Sequence, residues 1–258
     1  MIPKTIHYCW FGRNSMPDMA VKCIKSWKKY CPDYEIMEWN EDNFDITSCP
    51  LYVRQAYEAK KWAFVTDYVR LKVVHDHGGI YMDTDVELKK SLSPLLQHRA
   101  YFGFEDGTHV ATGLGFGAAQ RHPILKEIMD DYDGIPFLLE DGSYDKETCP
   151  SRNTKILIRH GLRQDDSKQI LDGDILILPS IYFCPLSYQT GKRKLSNKTV
   201  SIHWFDASWR TAAEKAYQKE KIMRERKDAI KHLPNRILIG LLGKNRYGKL
   251  KKILKRGE

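Results

Sequence analysis

One stretch, residues 63–87, constrains the fold of this chain more than any other: AFVTDYVRLKVVHDHGGIYMDTDVE. Its apolar residues first recur at helical spacing, with Val65, Val69 and Val73 on one side of a predicted helix. Gly78 follows at the place where a helix end favours a residue that adopts positive φ. Residues 80–82 then form a short β-type run. The stretch therefore predicts a helix, a glycine break and a strand.

Two carboxylates, Asp83 and Asp85, stand two residues apart at the end of this predicted strand. Side chains at i and i+2 of an extended segment point the same way, so both can converge on one cation. Mg²⁺ and Mn²⁺ prefer oxygen ligands and leave positions open for phosphate oxygens. A bare Asp-x-Asp also occurs often by chance. The glycine pair and the strand before it favour a metal site at a strand end of an α/β fold.

The segments around this stretch predict an α/β fold with a parallel sheet. A strand over residues 2–10, a helix over 17–30 and a strand over 34–39 come in the order of a nucleotide-binding unit. Further strands are predicted over 100–104, 112–119, 172–179, 181–185 and 199–204, a helix over 124–132, and a mobile loop over 133–153. Neither a Gly-x-Gly-x-x-Gly nor a phosphate-loop motif is present, so a dinucleotide fold and that NTPase class are not supported.

The positive charge of the chain belongs to its last fifty residues. Residues 210–258 hold 16 Lys and Arg against 5 Asp and Glu, whereas residues 1–209 hold 26 against 28. This asymmetry predicts a body over 1–209 and a basic helical appendage over 210–258. The N-terminus lacks the pattern of a secretory signal. The six cysteines are scattered without a Cys-x-x-Cys pair, which favours free thiols and a cytoplasmic location.

Four motifs together resemble the sugar-transferring DXD glycosyltransferases, which include yeast α-1,6-mannosyltransferase relatives, bacterial capsular polysaccharide transferases and, more distantly, clostridial glucosylating toxins. The resemblance spans residues 2–209 with order and spacing intact. Its motifs are Ile2-Pro3-Lys4-x-Ile6-His7-x-x-Trp10, Asp67-x-x-Arg70, Gly78-Gly79-x-Tyr81-x-Asp83-x-Asp85 and His203-x-x-x-x-Ser208-Trp209.

The resemblance implies a GT-A fold, a nucleotide-sugar donor, a Mn²⁺ or Mg²⁺ ion and transfer with retention at the anomeric carbon. By position, Asp83 and Asp85 would hold the metal, with His203 as a late ligand. The remaining donor-binding positions form three groups: Asp67 and Arg70 on the sugar hydroxyls, Trp10 with the backbone at His7 and Tyr8 on the base, and Ser208 with Trp209 over the β-phosphate.

Several of these residues have simpler structural interpretations when the resemblance is set aside. The i,i+3 spacing of Asp67 and Arg70 favours a surface ion pair. His203 on its own is typical of a core histidine, and Trp10 and Trp209 are typical of core aromatics. His75 and His77 are interpreted as capping the helix dipole. No acid is spaced as an obvious nucleophile, and Glu105 with Asp106 are candidates for the acceptor side.

The predicted function is a metal-dependent retaining hexosyltransferase that uses a UDP-sugar, or a GDP-sugar, in capsule or surface polysaccharide synthesis. A metal-dependent phosphohydrolase or nucleotidyltransferase would use the same carboxylates but does not need the other motifs. A nucleic-acid-binding protein would explain the pI near 9.1. Because the charge is confined to the tail and no recognition motif is present, we expect no nucleic-acid partner.

The basic tail predicts a further partner, an anionic membrane. Apolar residues at 237, 238, 241 and 242, and again at 250, 253 and 254, alternate with Lys and Arg. This composition is typical of a helix that lies in a membrane interface. We expect peripheral docking on the cytoplasmic face, near a glycan or lipid-linked glycan acceptor. The alternative is a solvated helix that covers apolar surface of the body.

Overall fold

A computed structural model describes residues 1–187 and 193–206, together with the isolated positions 216, 220, 223 and 224. Residues 1–187 and 193–206 belong to one compact unit. In the second unit, Arg224 and Glu220 form an i,i+4 ion pair at 3.0 Å. The predicted membrane-binding segment and the predicted β-phosphate cap, Ser208 and Trp209, lie outside the described residues. The domain boundary at 209/210 stays a prediction.

Helices and strands alternate through the described part of the chain. The helices are α1 Asp18–Tyr30, α2 Leu51–Glu58, α3 Trp62–His77, α4 Pro123–Asp130, α5 Cys149–Arg159 and α6 Ser180–Phe183. The strands are β1 Thr5–Cys9, β2 Glu35–Trp39, β3 Gly79–Tyr81, β4 Val86–Leu88, β5 Ala100–Phe104, β6 Val110–Ala111, β7 Phe116–Ala118, β8 Gln169–Leu171, β9 Ile175–Leu178 and β10 Ser201–His203.

The main sheet has the strand order β2-β1-β3-β7-β5-β9-β8, with β6 paired to β5. The pairs β1–β2, β1–β3 and β5–β9 are parallel, whereas β7 runs antiparallel between β3 and β5. The parallel pairs arise because helical connections such as α1 and α3 carry the chain back to the start of the sheet. The predicted α/β fold with a parallel-rich sheet is confirmed.

Alternate residues of the central strands enter two different hydrophobic clusters. On β3, Ile80 packs with Ile6 of β1 and with α1, whereas Tyr81 packs with α2 and α3. Neighbouring side chains of a strand point to opposite faces of the sheet, so helices cover both faces. Burial of each large apolar side chain stabilises the fold by about 1.5–3 kcal/mol. The sheet is thereby fixed, and its carboxyl edge is a rigid base for side chains that follow β1 and β3.

Two sequence predictions about local structure are wrong. Residues 181–185 were expected in a strand, but residues 180–183 are helical because the Asp166 carboxylate accepts hydrogen bonds from the backbone N–H and the hydroxyl of Ser180, at 2.6 and 2.8 Å. The predicted loop 133–153 ends early, because the Thr148 hydroxyl accepts from the backbone N–H of Ser151 and caps a helix that begins at Cys149.

A separate two-stranded sheet forms where β10 pairs antiparallel with β4. The register places His203 opposite Val86 and Ser201 opposite Leu88. β4 was not predicted from the sequence, because its three residues follow the Asp-x-Asp motif directly and are too short for a periodic signal. This small sheet brings the end of the described body beside the strand end that carries Asp83 and Asp85.

None of the helices in the described residues has both the length and the apolar character that are needed to cross a bilayer.

Candidate functional site

Two hydrogen bonds, one at its backbone and one at its carboxylate, hold Asp83 at the carboxyl end of β3. Its backbone N–H donates to the carbonyl oxygen of Gly113 at 3.0 Å, and the Tyr81 hydroxyl donates to its Oδ1 at 3.1 Å. Tyr81 is buried between β3 and α3. The Asp83 carboxylate is therefore aimed by the sheet itself rather than by a free loop.

Asp85 is bound to the strand β10 and the residues that follow it. His203 Nε2 lies 3.1 Å from Asp85 Oδ1, and the Asp206 N–H donates to Asp85 Oδ2 at 2.9 Å. The backbone N–H of Trp204 donates to the Asp85 carbonyl oxygen at 3.0 Å. The β4–β10 pairing thus places the His203 imidazole beside Asp85.

Asp83, Asp85 and His203 together form a candidate metal centre. One ligand atom from each residue lies within 4.8 Å of the other two. Two carboxylate oxygens and one imidazole nitrogen suit a divalent cation such as Mn²⁺, and they leave coordination positions for phosphate oxygens. In the described part of the chain, the buried Nδ1 of His203 has no hydrogen-bond partner. The predicted ligands are therefore brought together, and the donor set fits the expected ion.

Burial and neighbouring charges affect the two carboxyl groups in opposite ways. At Asp83, burial dominates and raises the pKa, although the nearby Arg70 charge opposes it. At Asp85, burial also favours the neutral form, but the charge and hydrogen bond of His203 outweigh it, and the pKa is lowered. The pKa of His203 is raised despite its burial, because the Asp85 carboxylate stabilises the imidazolium. An imidazolium cannot bind a metal ion, so His203 must lose this proton before its Nε2 can act as a ligand.

Asp67 and Arg70 lie on α3 and point to the same centre, Arg70 buried and Asp67 partly buried. Arg70 is 5% exposed, and its Nη2 lies 2.9 Å from Asp67 Oδ1 and 3.4 Å from Asp83 Oδ1. Its Nε donates to the Thr66 carbonyl oxygen at 2.9 Å, and its guanidinium lies over the Tyr81 ring. The simpler interpretation, a surface ion pair, is wrong, because this pair joins α3 to the carboxylate at the end of β3.

A buried polar network supports Asp67 from the side of α5. A hydrogen bond to Cys149 lowers the pKa of Asp67, but burial prevails and raises it to about 6. The Cys149 Sγ lies 3.0 Å from the Thr112 hydroxyl and accepts from the Asn153 side-chain amide at 3.1 Å. These three residues were missed by the sequence analysis, since no motif links residues so far apart in the chain.

Gly113 is a second residue that the sequence analysis missed. A Cβ at this position would press against Oδ2 of Asp83 and lie 3.0 Å from Nη1 of Arg70. The glycine therefore makes room for the carboxylate and the guanidinium to meet. The glycine-rich run over 112–119 was the signal that could have found it, because strand glycines permit close approach.

The predicted base-binding residues lie on β1, directly beside β3. The His7 ring is fully buried, its Nε2 lies 2.8 Å from the Gly78 carbonyl oxygen, and its Nδ1 accepts from Trp39. Burial lowers its pKa to about 4, so the ring is neutral and holds the β1–β3 junction. The His7 backbone is engaged too, since its carbonyl oxygen accepts from the Met82 N–H at 3.1 Å, and the donor-binding role of this residue stays a prediction.

Tyr8 and Trp10 are also engaged, but nearer the surface. The Tyr8 hydroxyl donates to Glu38 Oε2 at 2.6 Å, and the Trp10 Nε1–H donates to the Asn14 carbonyl oxygen at 2.7 Å. Trp10 follows β1 at the edge of the sheet where Asp83 follows β3. Their donor-binding role stays a prediction.

Comparison with known families bears directly on this site. Residues 17–102 match the family model described as "Glycosyltransferase sugar-binding region containing DXD motif". That segment includes Asp67, Arg70, Asp83 and Asp85, the residues that converge at the centre. This segment of the chain is therefore similar to the sugar-binding region of DXD-containing glycosyltransferases. Divalent metal ions are typical of such enzymes, and the Asp83–Asp85–His203 group agrees with that chemistry.

Individual relatives are moderately similar in sequence to this chain, which spans well under half the length of the yeast proteins that it matches. "Inositol phosphoceramide mannosyltransferase 3" of Schizosaccharomyces pombe is 31% identical over 140 residues, which are 53% of this chain and 38% of the yeast protein. "Uncharacterized glycosyltransferase L373" of Acanthamoeba polyphaga mimivirus is 27% identical over 204 residues, 74% of this chain and 76% of the viral protein. The solved "PaToxG Glycosyltransferase" has a TM-score of 0.48 and 19% identity over 61% of this chain and 69% of its own.

Proposed function

We propose that this glycosyltransferase is a metal-dependent retaining enzyme that moves a hexose from a nucleotide sugar to a saccharide or lipid-linked saccharide acceptor. The observation that carries the proposal is the convergence of Asp83, Asp85 and His203 within 4.8 Å of one another, beside the Asp67–Arg70 pair. A donor diphosphate bound at the three ligands would place its sugar within reach of the pair.

Each residue at the centre has a distinct task in this proposal. Asp83, Asp85 and His203 would hold Mn²⁺ or Mg²⁺, which supplies Lewis-acid stabilisation of the charge that develops on the leaving diphosphate. Asp67 accepts hydrogen bonds from sugar hydroxyls, and Arg70 fixes its orientation. Because Arg70 is buried, it also contributes a positive charge close to the reacting centre without thermal disorder of a long side chain.

The donor is proposed to be a UDP-hexose, with a GDP-sugar as the alternative. The names of the yeast relatives, which are mannosyltransferases, support a hexose as the transferred group. Their names also contain a phosphoceramide acceptor, which supports an acceptor that is linked to a lipid. A role in capsule or surface polysaccharide synthesis, a cytoplasmic location and contact of residues 210–258 with an anionic membrane belong to the same proposal.

Release of nucleotide from a donor panel tests the proposal. The full chain is incubated with Mn²⁺ and a set of UDP- and GDP-hexoses, and the free nucleotide diphosphate is measured with and without chelator. We expect release from one donor, its loss in chelator, and its loss in Asp85→Asn. The matched control Asp18→Asn changes an exposed carboxylate of α1 and should leave release intact. Release that persists in Asp85→Asn contradicts the metal assignment, and no release from any donor contradicts the enzyme proposal.

A further inference from the structure

Positive charge is concentrated on one side of the folded body, separately from the basic tail. The helix α1 holds four lysines and one acidic residue, and residues 193–200 hold three basic residues and no acidic one. Residues 1–209 as a whole carry more acidic than basic side chains. The excess of positive charge is therefore local, and it requires a local explanation.

The carboxylate of Glu87 joins these two segments across β4. It lies 3.5 Å from Lys22 Nζ and 2.7 Å from Lys89 Nζ, and it accepts a hydrogen bond from Trp204 Nε1 at 2.9 Å. The guanidinium of Arg193 lies 4.7 Å from the centroid of a Trp204 ring, and Lys22 Nζ lies 5.3 Å from it. Among the described residues, one carboxylate and one indole therefore hold three cations from three segments together, so the cations at this junction outnumber the Glu87 carboxylate.

Other basic residues extend this surface on either side. Lys25 lies one turn beyond Lys22 on the exposed side of α1. Lys194 and Lys198 are exposed, and Lys90 Nζ donates to the Asn197 carbonyl oxygen and so fixes the turn that carries Lys198. We call this surface the basic face, and it comprises Lys22, Lys25, Lys89, Arg193, Lys194 and Lys198.

Apolar side chains are exposed within the basic face. Leu195 is 55% exposed and lies between Lys194 and the turn at Lys198, and Val21 is 39% exposed beside Lys22. Exposed apolar residues flanked by Lys and Arg match a membrane interface, where lipid headgroups attract the cations and the acyl boundary accepts the apolar groups. A nucleic acid would match the charge alone.

We propose that the basic face docks the folded body on a bilayer that contains anionic phospholipids, independently of residues 210–258. The face borders the candidate metal centre, because Trp204 follows His203 and Glu87 lies two residues beyond Asp85. Docking would therefore turn the metal centre towards the lipid surface on which a lipid-linked acceptor is anchored. The role of this orientation in reaching an acceptor rests on the proposed function, whereas binding of the basic face to the bilayer does not.

A charge-reversal variant tests the docking in the full chain. Lys25→Glu, Lys194→Glu and Lys198→Glu are combined, and flotation is measured with phosphatidylcholine vesicles with and without phosphatidylglycerol. The control combines Arg54→Glu, Lys146→Glu and Lys168→Glu, which reverses three exposed cations elsewhere. Each basic residue near an anionic surface adds about 1 kcal/mol, so loss of three corresponds to roughly a 100-fold change in partitioning.

We expect the wild type and the control to float with anionic vesicles, and the triple variant of the basic face to lose at least about tenfold in binding. Equal binding by both triple variants overturns the proposal, because the net charge of the protein would then explain vesicle binding without a particular surface. Stronger binding to nucleic acid than to vesicles also overturns it. Nucleotide release measured with a soluble acceptor separates this result from the proposed function, since the variant should keep that activity.

A second variant reports on contact rather than on charge. Leu195→Cys is labelled with an environment-sensitive dye, which is selective because all six native cysteines are buried. We expect a blue shift of the dye with anionic vesicles and none with phosphatidylcholine alone. Ile170→Cys, at a side chain that is 50% exposed on β8, is the control and should show no shift. A dye at residue 195 that stays in water contradicts the docking geometry.

Discussion

The Nε2 atom of His203 lies 3.1 Å from Oδ1 of Asp85, and this contact joins the small β4–β10 sheet to the metal centre. The contact depends on the register of the two strands, since His203 lies opposite Val86. A slip of one residue would turn His203 to the other face of the sheet. The third ligand of the centre is therefore specified by the pairing of β4, which directly follows the Asp-x-Asp motif, with a strand from the other end of the described chain.

Arg70 is predicted to be essential for both stability and activity. Arg70→Ala leaves the partly buried carboxylates of Asp67 and Asp83 without a cation, and because a fully buried pair would cost about 3–5 kcal/mol, we expect a cost of about 2–3 kcal/mol here. We expect a clear drop of the denaturant midpoint and loss of nucleotide release. Arg70→Lys keeps the positive charge but loses the planar guanidinium group that donates two parallel hydrogen bonds. Relative to Arg70→Ala, it should restore stability more than activity. An unchanged midpoint in Arg70→Ala would show that Arg70 is not buried as described.

Asp67 is predicted to set the acidic limit of activity. Its pKa is raised to about 6 by burial, so it loses its charge, and with it its pairing to Arg70, as the pH falls through that value. We expect kcat/KM for the donor to decline below about pH 6. The hydrogen bond from Cys149 lowers this pKa, so Cys149→Ala should move the limit to higher pH and Cys149→Ser should not. If the acidic limit of kcat/KM is identical in the wild type, Cys149→Ala and Cys149→Ser, its assignment to Asp67 is contradicted.

Gly113 is predicted to be required at the metal centre for steric reasons. In Gly113→Ala the new methyl group meets Oδ2 of Asp83, so the carboxylate must turn away from the site. We expect at least a tenfold loss of Mn²⁺ affinity, about 1.4 kcal/mol, in a protein that remains folded. Gly142→Ala is the control, because nothing lies within 4 Å of the added Cβ there, so any effect comes from the positive φ of Gly142 and not from a steric contact. Equal Mn²⁺ affinity of the two variants contradicts the prediction.

His160 is predicted to make stability depend on pH. Its Nε2 lies 3.0 Å from Glu127 and its Nδ1 lies 2.5 Å from Asp172, and the Glu127 hydrogen bond is the main cause of its raised pKa. A raised pKa in the folded state stabilises the fold below about pH 6.5, and this contribution is lost as the pH rises through the folded-state pKa.

The test of this prediction compares melting temperatures at two pH values. Both carboxylates are partly exposed, so the contribution is about 1 kcal/mol, which corresponds to a Tm shift of about 3 °C for a chain of this size. His160→Gln should lower Tm at about pH 6 and have little effect at about pH 9. His98→Gln should be neutral at both values, since the described residues show no ion pair for His98. Equal losses at both values would indicate a packing effect instead.

Part of the site could be predicted from sequence because it is local. Asp83 and Asp85 follow a glycine pair and a β-type run, and residues two apart on a strand share a side. Asp67 and Arg70 lie three residues apart on one predicted helix. Their burial was not predictable, since spacing alone does not distinguish a surface pair from one beneath a strand end.

The remainder of the site depends on tertiary contacts that leave no pattern in the sequence. Cys149 reaches Asp67 from the first turn of α5, a helix whose start fell within the predicted loop, and Thr112 and Asn153 contact Cys149. Residues 181–185 are apolar enough for a strand, but a carboxylate remote in sequence caps them into a helix. His203 was assigned from the family resemblance, and the short pairing of β4 with β10 explains its place.

Mn²⁺ binding in the presence of UDP tests the central claim most directly. The ion is titrated into wild-type protein, Asp85→Asn, His203→Ala and the control Asp18→Asn, and bound Mn²⁺ is followed by electron paramagnetic resonance. We expect one site in the wild type and the control, and a loss of affinity of at least about tenfold in Asp85→Asn and His203→Ala. Undiminished Mn²⁺ affinity in Asp85→Asn would contradict a metal centre built on Asp83, Asp85 and His203.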